Sequence, residues 1–123
     1  MKRAGMDYWA SLDVTVYKDF EDFLEKNPGA KLYMATTKGR RVYSDVEFEE
    51  DAYLMFGKES GGIPEEILVK YPEAAMRIPM LGDTRSLNLS NSTAIVLYEA
   101  LRQHGFKGLK RAGELTGYTW DAL

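Results

Sequence analysis

The sequence contains no cysteine and a single histidine, His104. The absence of cysteine excludes disulfides and thiolate metal sites, and it agrees with a reducing cytoplasm. One histidine leaves little material for a histidine-based metal centre or for a Ser-His-Asp triad. We therefore expect no bound metal, and we expect His104 to serve as a cation near a helix C-terminus rather than as a catalyst.

Long apolar runs are also missing from the chain. The longest, residues 94–98, is far too short to span a bilayer, so we expect no membrane partner. No apolar core follows the charges of Lys2 and Arg3, which argues against a signal peptide. The net charge of −3 excludes a uniformly basic surface but allows a local basic patch for nucleic acid. We expect a cytoplasmic protein.

Hydrophobic patterns divide the chain into alternating strands and helices. The 123 residues, 45% of them hydrophobic, suit one compact domain. Apolar or alternating β-branched runs predict strands at residues 12–17, 31–37, 52–56 and 75–79. Helical spacing predicts helices at residues 19–26, at 64–71, and from about 88–91 to 104. This alternation predicts an α/β fold with a mostly parallel sheet and helices on both faces.

The last predicted helix carries apolar residues on nearly all sides, and Gly105 fits its C-terminal stop. Such a helix is usually buried, either inside the domain or against a partner subunit. The apolar residues are Ala94, Ile95, Val96, Leu97, Ala100 and Leu101.

Two loops carry the strongest functional signal. Residues 56–64, Phe-Gly-Lys-Glu-Ser-Gly-Gly-Ile-Pro, join the end of a predicted strand to the start of a helix, where α/β proteins bind small charged ligands. Residues 78–91 form a second loop of this kind before the last helix. Two such loops in order predict one composite site. A nucleotide-phosphate loop is a weaker interpretation, because residues 57–62 lack the Gly-Lys-Ser/Thr ending.

These two loops resemble motifs of a known family. Residues 56–64 resemble the second motif of the SpoU branch of the SPOUT RNA methyltransferases. Three further segments resemble the third motif of that family, namely Ile78-Pro79-Met80, Ser86 to Asn91 and Tyr98-Glu99-Ala100. The resemblance extends from Lys2 to about Leu109, and it is strongest to small members that methylate the 2′-hydroxyl of the wobble nucleotide in tRNA.

The resemblance implies a fold and an assembly. It implies a methyltransferase domain over residues 1–109 with a tail at 110–123, a trefoil knot formed from about residue 53 onward, and a homodimer. It also implies S-adenosylmethionine bound in the knot loops and tRNA as substrate. Members of this type begin with a further strand and a motif that carries Asn and Arg, and this sequence has no counterpart of either. We therefore expect an N-terminally truncated member with an exposed sheet edge that is less stable and self-associates.

The resemblance also assigns site residues by position. For the cofactor it implies Ala35 at a strand end, Gly57 in the first loop, Ile78 against the adenine and Ser86 in the second loop. For catalysis it implies Glu59, Asn88 and Tyr98. For the RNA substrate the candidates are Lys38, Arg41, Arg85 and Asn91. Lys38, Arg40 and Arg41 form a basic turn suited to RNA phosphates, and Lys107, Lys110 and Arg111 extend it.

Several candidates also have a purely structural interpretation. Gly57 alone is typical of a turn. Asn88 or Ser90 could equally be the helix N-cap, and for Asn88 the capping role and the site role are balanced. Glu59 can favour a helix N-terminus, and Tyr98 can simply pack. For the chain as a whole, the alternative to an RNA 2′-O-methyltransferase is a non-catalytic fragment that binds cofactor or RNA.

Overall fold

The computed structural model describes residues 13–58, 61–81 and 88–121, and a capped helix lies near the start of the described chain. Helix α1 (Phe20–Lys26) lies in the first of two compact units, Met1–Ala30 and Lys31–Leu123. The Asp19 carboxylate accepts a hydrogen bond from the Asp22 amide at 2.8 Å. At the other end Asn27 Nδ2 donates to the Phe23 carbonyl at 2.9 Å. The helix predicted at 19–26 is thus confirmed.

The strand predicted at residues 12–17 is wrong for residues 13–17, which have no regular secondary structure; Leu12 lies outside the described residues. Val14 is 52% exposed and Val16 is 88% exposed. Alternating β-branched residues favour a strand, but the ladder also needs a neighbouring strand. No described strand forms a β-ladder with this segment.

The second unit is built on three parallel strands in the order β2-β1-β3. They are β1 (Lys31–Ala35), β2 (Ala52–Phe56) and β3 (Ala75–Met76). Ala35, the last residue of β1, pairs with Phe56 at the end of β2 and with Met76 at the end of β3. The predicted parallel sheet is therefore confirmed, and its three carboxyl ends lie side by side.

Three predicted elements are shorter than the sequence pattern suggests, and the first is the strand predicted at 31–37, which ends at Ala35. After β3, Arg77 leaves the sheet and forms a bridge with Val42 instead. The helix predicted at 64–71 is one turn, α2 (Glu65–Leu68), followed by a 3₁₀ turn at Pro72–Ala74. Lys70 and Tyr71 donate to the carbonyls three residues before them, which tightens the chain ahead of Pro72.

Helix α3 (Leu89–Gln103) matches the prediction closely but is buried on one side only. Val96 is fully buried, whereas Leu97 is 41% and Tyr98 57% exposed. The expectation of burial all round is therefore not met within this chain. The buried cluster that Val96 joins contains Val46, Phe48 and Met76.

The C-terminal turn of α3 holds the loop that precedes β2. Gln103 Nε2 donates to the Val46 carbonyl at 2.8 Å, and Gln103 Oε1 accepts from the Phe48 amide at 2.9 Å. Gln103 Nε2 also donates to Glu99 at 2.8 Å. Arg102 binds the same carboxylate and, with Gln103, holds the pKa of Glu99 below its ordinary value. This loop contains a 3₁₀ turn at Tyr43–Asp45.

The chain after α3 leaves the helix through a left-handed turn. Gly105 has φ +73° and Phe106 φ +56°, and the Phe106 amide donates to the Leu101 carbonyl at 2.8 Å. His104 is the C-cap, and its Nε2 lies 2.6 Å from the Phe48 carbonyl oxygen. Residues 110–121 are exposed throughout. Within the described ranges, no helix has the length and apolar character that crossing a bilayer requires.

We predict that Gln103→Leu lowers the free energy of unfolding by about 1–3 kcal/mol, because it leaves the Val46 carbonyl and the Phe48 amide without their partner. Urea unfolding followed by far-UV circular dichroism measures this loss. Arg102→Leu is the control, since Arg102 is exposed and binds only the Glu99 carboxylate among described groups. Equal losses in the two variants would contradict the structural role of Gln103.

Candidate functional site

A cavity of about 510 Å³ lies where the three parallel strands end. In α/β sheets this edge, at the carboxyl ends of the strands, is where ligands bind. Four segments form its walls: the residues after β1, the loop at residues 56–64 after β2 (the glycine loop), the residues after β3, and the start of α3. The lining residues are Ala35, Thr36, Thr37, Lys38, Phe56, Gly57, Lys58, Gly61, Gly62, Ile63, Ile78, Met80, Asn88, Leu89 and Ser92.

The wall after β1 is fixed against β3. The Thr36 amide donates to the Met76 carbonyl at 2.9 Å, and Arg77 donates from its guanidinium to the Thr37 carbonyl at 3.2 Å. A Cβ at Gly39 would lie 2.6 Å from the Met76 carbonyl carbon, so only glycine fits this crossing. These contacts hold Thr36, Thr37 and the following lysine at the cavity.

The glycine loop folds back on itself. Lys58 and Gly62 form an antiparallel bridge, and the Gly62 amide donates to the Lys58 carbonyl at 3.1 Å. A Cβ at Gly57 would overlap the backbone of Gly62 and Ile63. Gly57 is therefore required by the close approach of the two arms of the loop, which the sequence analysis did not anticipate.

The start of α3 forms a third wall. Asn88 is the N-cap: its side-chain oxygen accepts from the Asn91 amide at 2.9 Å and from the Ser90 hydroxyl at 3.2 Å. Asn88 also lines the cavity, so the capping role and the site position coincide in one residue. The positive end of the helix macrodipole thereby faces the cavity region.

The described lining has a distinct chemical character. Its apolar part suits a flat hydrophobic group such as a heterocycle, and comprises Phe56, Ile63, Ile78, Met80 and Leu89. Hydroxyl and amide groups come from Thr36, Thr37, Asn88 and Ser92, and ammonium groups come from Lys38 and Lys58. None of these described lining residues is a carboxylate or an imidazole.

The structure brings together five of the predicted site residues, namely Ala35, Gly57, Ile78, Asn88 and Lys38. Glu59, Arg85 and Ser86 lie outside the described residues. Arg41 is directed elsewhere, because its guanidinium donates to the Glu73 carbonyl. Asn91 is exposed on the first turn of α3 and is not among the described lining residues.

Tyr98 does not join the cavity of its own chain. It lies ten residues beyond Asn88 on α3, roughly 15 Å along the helix axis. Its side chain is 57% exposed. A role for Tyr98 at a cavity therefore requires a second copy of the chain.

Several lining residues were missed by the sequence analysis. Thr36 and Thr37 follow the end of β1, a position where ligand contacts concentrate. Lys58 is next to Gly57, and Ser92 is one helical turn after Asn88. Because Thr36 and Thr37 lie at the end of a predicted strand, the sequence pattern could have indicated both of them. The placement of Lys58 and Ser92, in contrast, depends on how the loops fold.

Parallel strands with a cavity at their carboxyl ends define an α/β protein, and this is the edge where proteins of that class bind ligands. The chain matches the SpoU rRNA Methylase family over residues 1–98. It belongs to that family.

Relatives give the same assignment. A tRNA (cytidine(34)-2′-O)-methyltransferase of Escherichia coli K12 is 45% identical over 109 residues, which are 88% of this chain and 69% of that protein. The protein of the same name from Methylovorus glucosotrophus SIP3-4 is 43% identical over 109 residues, 88% of this chain and 71% of the relative. The chain spans about two thirds of the length of the curated relatives it matches, 66% in Listeria monocytogenes and 62% in Lactobacillus gasseri.

Solved structures share the fold. One that concerns 2-OH methylation of C/U34 on tRNA superposes with a TM-score of 0.77 at 41% identity, covering 86% of this chain and 69% of that one. An AdoMet-bound rRNA methyltransferase from Sinorhizobium meliloti gives a TM-score of 0.57 at 32% identity, covering 68% of this chain and 33% of that one.

We predict that Gly57→Ala destabilises the protein by about 1–3 kcal/mol or more, because the new methyl group forces the two arms of the glycine loop apart. Gly113→Ala is the matched control: a Cβ there meets nothing within 4 Å, so its effect should stay within about 0.5 kcal/mol. Thermal and urea unfolding of both variants measure the difference. A Gly57→Ala protein as stable as Gly113→Ala would refute the close-packed loop.

Proposed function

We propose that this chain binds S-adenosylmethionine in the cavity and transfers its methyl group to the 2′-hydroxyl of the wobble nucleotide of tRNA. The observation that carries the proposal is the convergence of Ala35, Gly57 and Ile78, three cofactor residues expected from the resemblance, on one cavity. Family membership and the names of the relatives support it.

The cavity suits this cofactor in size and in chemistry. Its volume of about 510 Å³ lies within the range of roughly 300–1,000 Å³ usual for small-molecule sites. Ile78, Met80 and Leu89 offer apolar surface for an adenine ring, and Thr36 and Thr37 offer hydroxyl groups for ribose and carboxylate oxygens. We propose that Ser86 in the second loop completes the cofactor contacts.

When bound, the cofactor supplies an electrophilic methyl group on sulfur, which the ribose oxygen takes up as the S–C bond breaks and sulfur keeps its electron pair. The chain's part is to hold the oxygen in line and to accept or guide its proton. Asn88, which lines the cavity, is our candidate for orienting the hydroxyl group, and Glu59 is our candidate for proton acceptance. Lys38, Arg41, Arg85 and Asn91 are our candidates for holding the RNA.

The second candidate function is cofactor or RNA binding without turnover. It is favoured by the lack of any carboxylate or imidazole among the described lining residues, since methylation requires a proton acceptor. The two functions differ in one measurement: binding with methyl transfer supports the enzyme, and binding without it supports the binding protein.

We further propose a homodimer that pairs through the exposed side of α3. Ala94, Leu97, Tyr98 and Leu101 recur at helical spacing, and the first three are exposed. Such a stripe on one face is typical of a helix that packs against another surface. A dimer of this kind would also bring Tyr98 close to the cavity of the partner subunit.

The remaining parts of the proposal follow from the family resemblance. We propose helices on both faces of the sheet, a trefoil knot formed by the loops around the cavity, a methyltransferase domain over residues 1–109 with a tail at 110–123, and a cytoplasmic site of action where tRNA is available. The parallel order β2-β1-β3 and the meeting of three loops at one cavity support the knotted arrangement.

We predict that Met80→Ala weakens S-adenosylmethionine binding about five- to tenfold, because it removes apolar contact with the cofactor. Isothermal titration calorimetry measures the affinity. Leu81→Ala is the matched control, since Leu81 is next in sequence, fully exposed and absent from the cavity lining, and its affinity should stay within twofold of the wild type. A wild-type chain that binds no S-adenosylmethionine would contradict the proposal.

Turnover is tested in the same preparation. A single-turnover assay with methyl-labelled cofactor and an unmodified tRNA transcript should give label in the 2′-O-methyl nucleotide at the wobble position. Binding of cofactor with no label above background would favour the binding protein instead.

We predict that the wild-type chain sediments as a dimer at micromolar concentration and that Leu97→Glu weakens the dimer at least about tenfold, because it buries a charge in the interface. Analytical ultracentrifugation over a concentration series measures this. Val69→Glu, on an apolar residue that is 73% exposed outside α3, should leave the dimer intact. A monomeric wild type, or equal effects of the two variants, would exclude α3 as the interface.

A further inference from the structure

An ion pair joins the cavity lining after β1 to the start of α2, at the opening of the cavity. Lys38 Nζ lies 3.0 Å from Glu65 Oε2, with the two side chains 53% and 70% exposed. Lys38 belongs to the lining after β1, whereas Glu65 opens α2 directly after the glycine loop. The lysine that we expect to hold RNA thus already has an anionic partner within the protein.

The backbone on both sides of the pair is held in place. The Lys38 amide donates to the Thr36 hydroxyl at 3.1 Å, and Thr36 is tied to β3 through its own amide. On the other side Pro64 precedes Glu65, and the amides of Ile67 and Leu68 donate to the Pro64 carbonyl at 3.0 and 3.2 Å. The side chains, in contrast, are mostly in solvent, so either can exchange its partner without moving the backbone.

A carboxylate and a phosphate are alternative partners for one ammonium group. An exposed pair of this kind is weak, and salt weakens it further. It cannot block RNA binding, but it lowers the gain from a phosphate contact with Lys38, because the pair must open first.

We propose that Glu65 is an intramolecular competitor for the RNA phosphate that Lys38 binds, and that it sets how tightly RNA is held at the opening of the cavity. This inference rests on the proposed RNA substrate and deepens it. Glu65 gives way when a phosphate reaches Lys38 and takes the ammonium group back when RNA leaves. A weaker hold on RNA favours release of the methylated product.

The neighbouring residue provides a matched control. Glu66 carries the same charge one position later, is also exposed, and is not the carboxylate that binds Lys38. Removing either charge changes the net charge equally, so a general repulsion of RNA would respond to both variants alike. Only Glu65→Gln also frees Lys38.

The test measures the affinity of an unmodified tRNA transcript with cytidine at the wobble position, by fluorescence anisotropy at several salt concentrations. Glu65→Gln should bind the transcript about two- to fivefold more tightly than Glu66→Gln at low salt, with the difference shrinking as salt rises. In a Lys38→Met background the two variants should bind alike, since the competed ammonium group is gone. A purely structural ion pair would instead leave RNA binding unchanged or weaken it in Glu65→Gln.

The outcomes separate the two proposals. If the wild type binds the transcript and Glu65→Gln equals Glu66→Gln, the competition is refuted while the RNA substrate stands. A difference that persists in the Lys38→Met background also overturns the competition. If neither the wild type nor Glu65→Gln binds the transcript, both the competition and the proposed RNA substrate fail.

Discussion

The shared register of three parallel strands is the constraint on which the rest of the structure depends. Ala35 pairs with both Phe56 and Met76, so β1, β2 and β3 end at the same edge of the sheet. The chain must then leave the sheet three times within one small region, and the three exits become three walls of one cavity. A shift of one residue in either pairing would turn the side chains to the opposite face and separate these walls.

Glycine at two crossings allows the walls to approach one another. Gly39 lets the segment after β1 pass over Met76, and Gly57 lets the glycine loop close on itself. At both positions the neighbour is backbone, which cannot yield as a side chain can. Gly57 also lines the cavity, so the packing of the glycine loop and the shape of the cavity depend on the same residue.

Two surface regions differ in chemical character: one is charged and lies at the cavity, and the other is apolar and lies along α3. At the cavity opening, Lys38 and Glu65 are exposed and weakly paired, which suits a surface that binds and releases a polyanion. Along α3, the side that faces the chain's own core is buried at Val96, and the other side exposes Leu97 and Tyr98. An apolar face of this kind is left unpartnered within the chain, which is the reason for the proposed contact through α3.

Local rules in the sequence determined the α/β alternation, β2 at Ala52–Phe56 and α3, because periodicity acts over a few residues. Capping rules left Asn88 and Ser90 as alternative N-caps, and the structure assigns the cap to Asn88. The family resemblance also predicted Ala35, Gly57 and Ile78 at one site, and all three line the cavity. Only the tertiary structure decided what depends on distant partners: residues 13–17 form no strand without a neighbour, and Tyr98 is far from its own cavity. The tertiary structure also decides the ion pair between Lys38 and Glu65, because residues far apart in sequence meet only when the backbone brings their loops together.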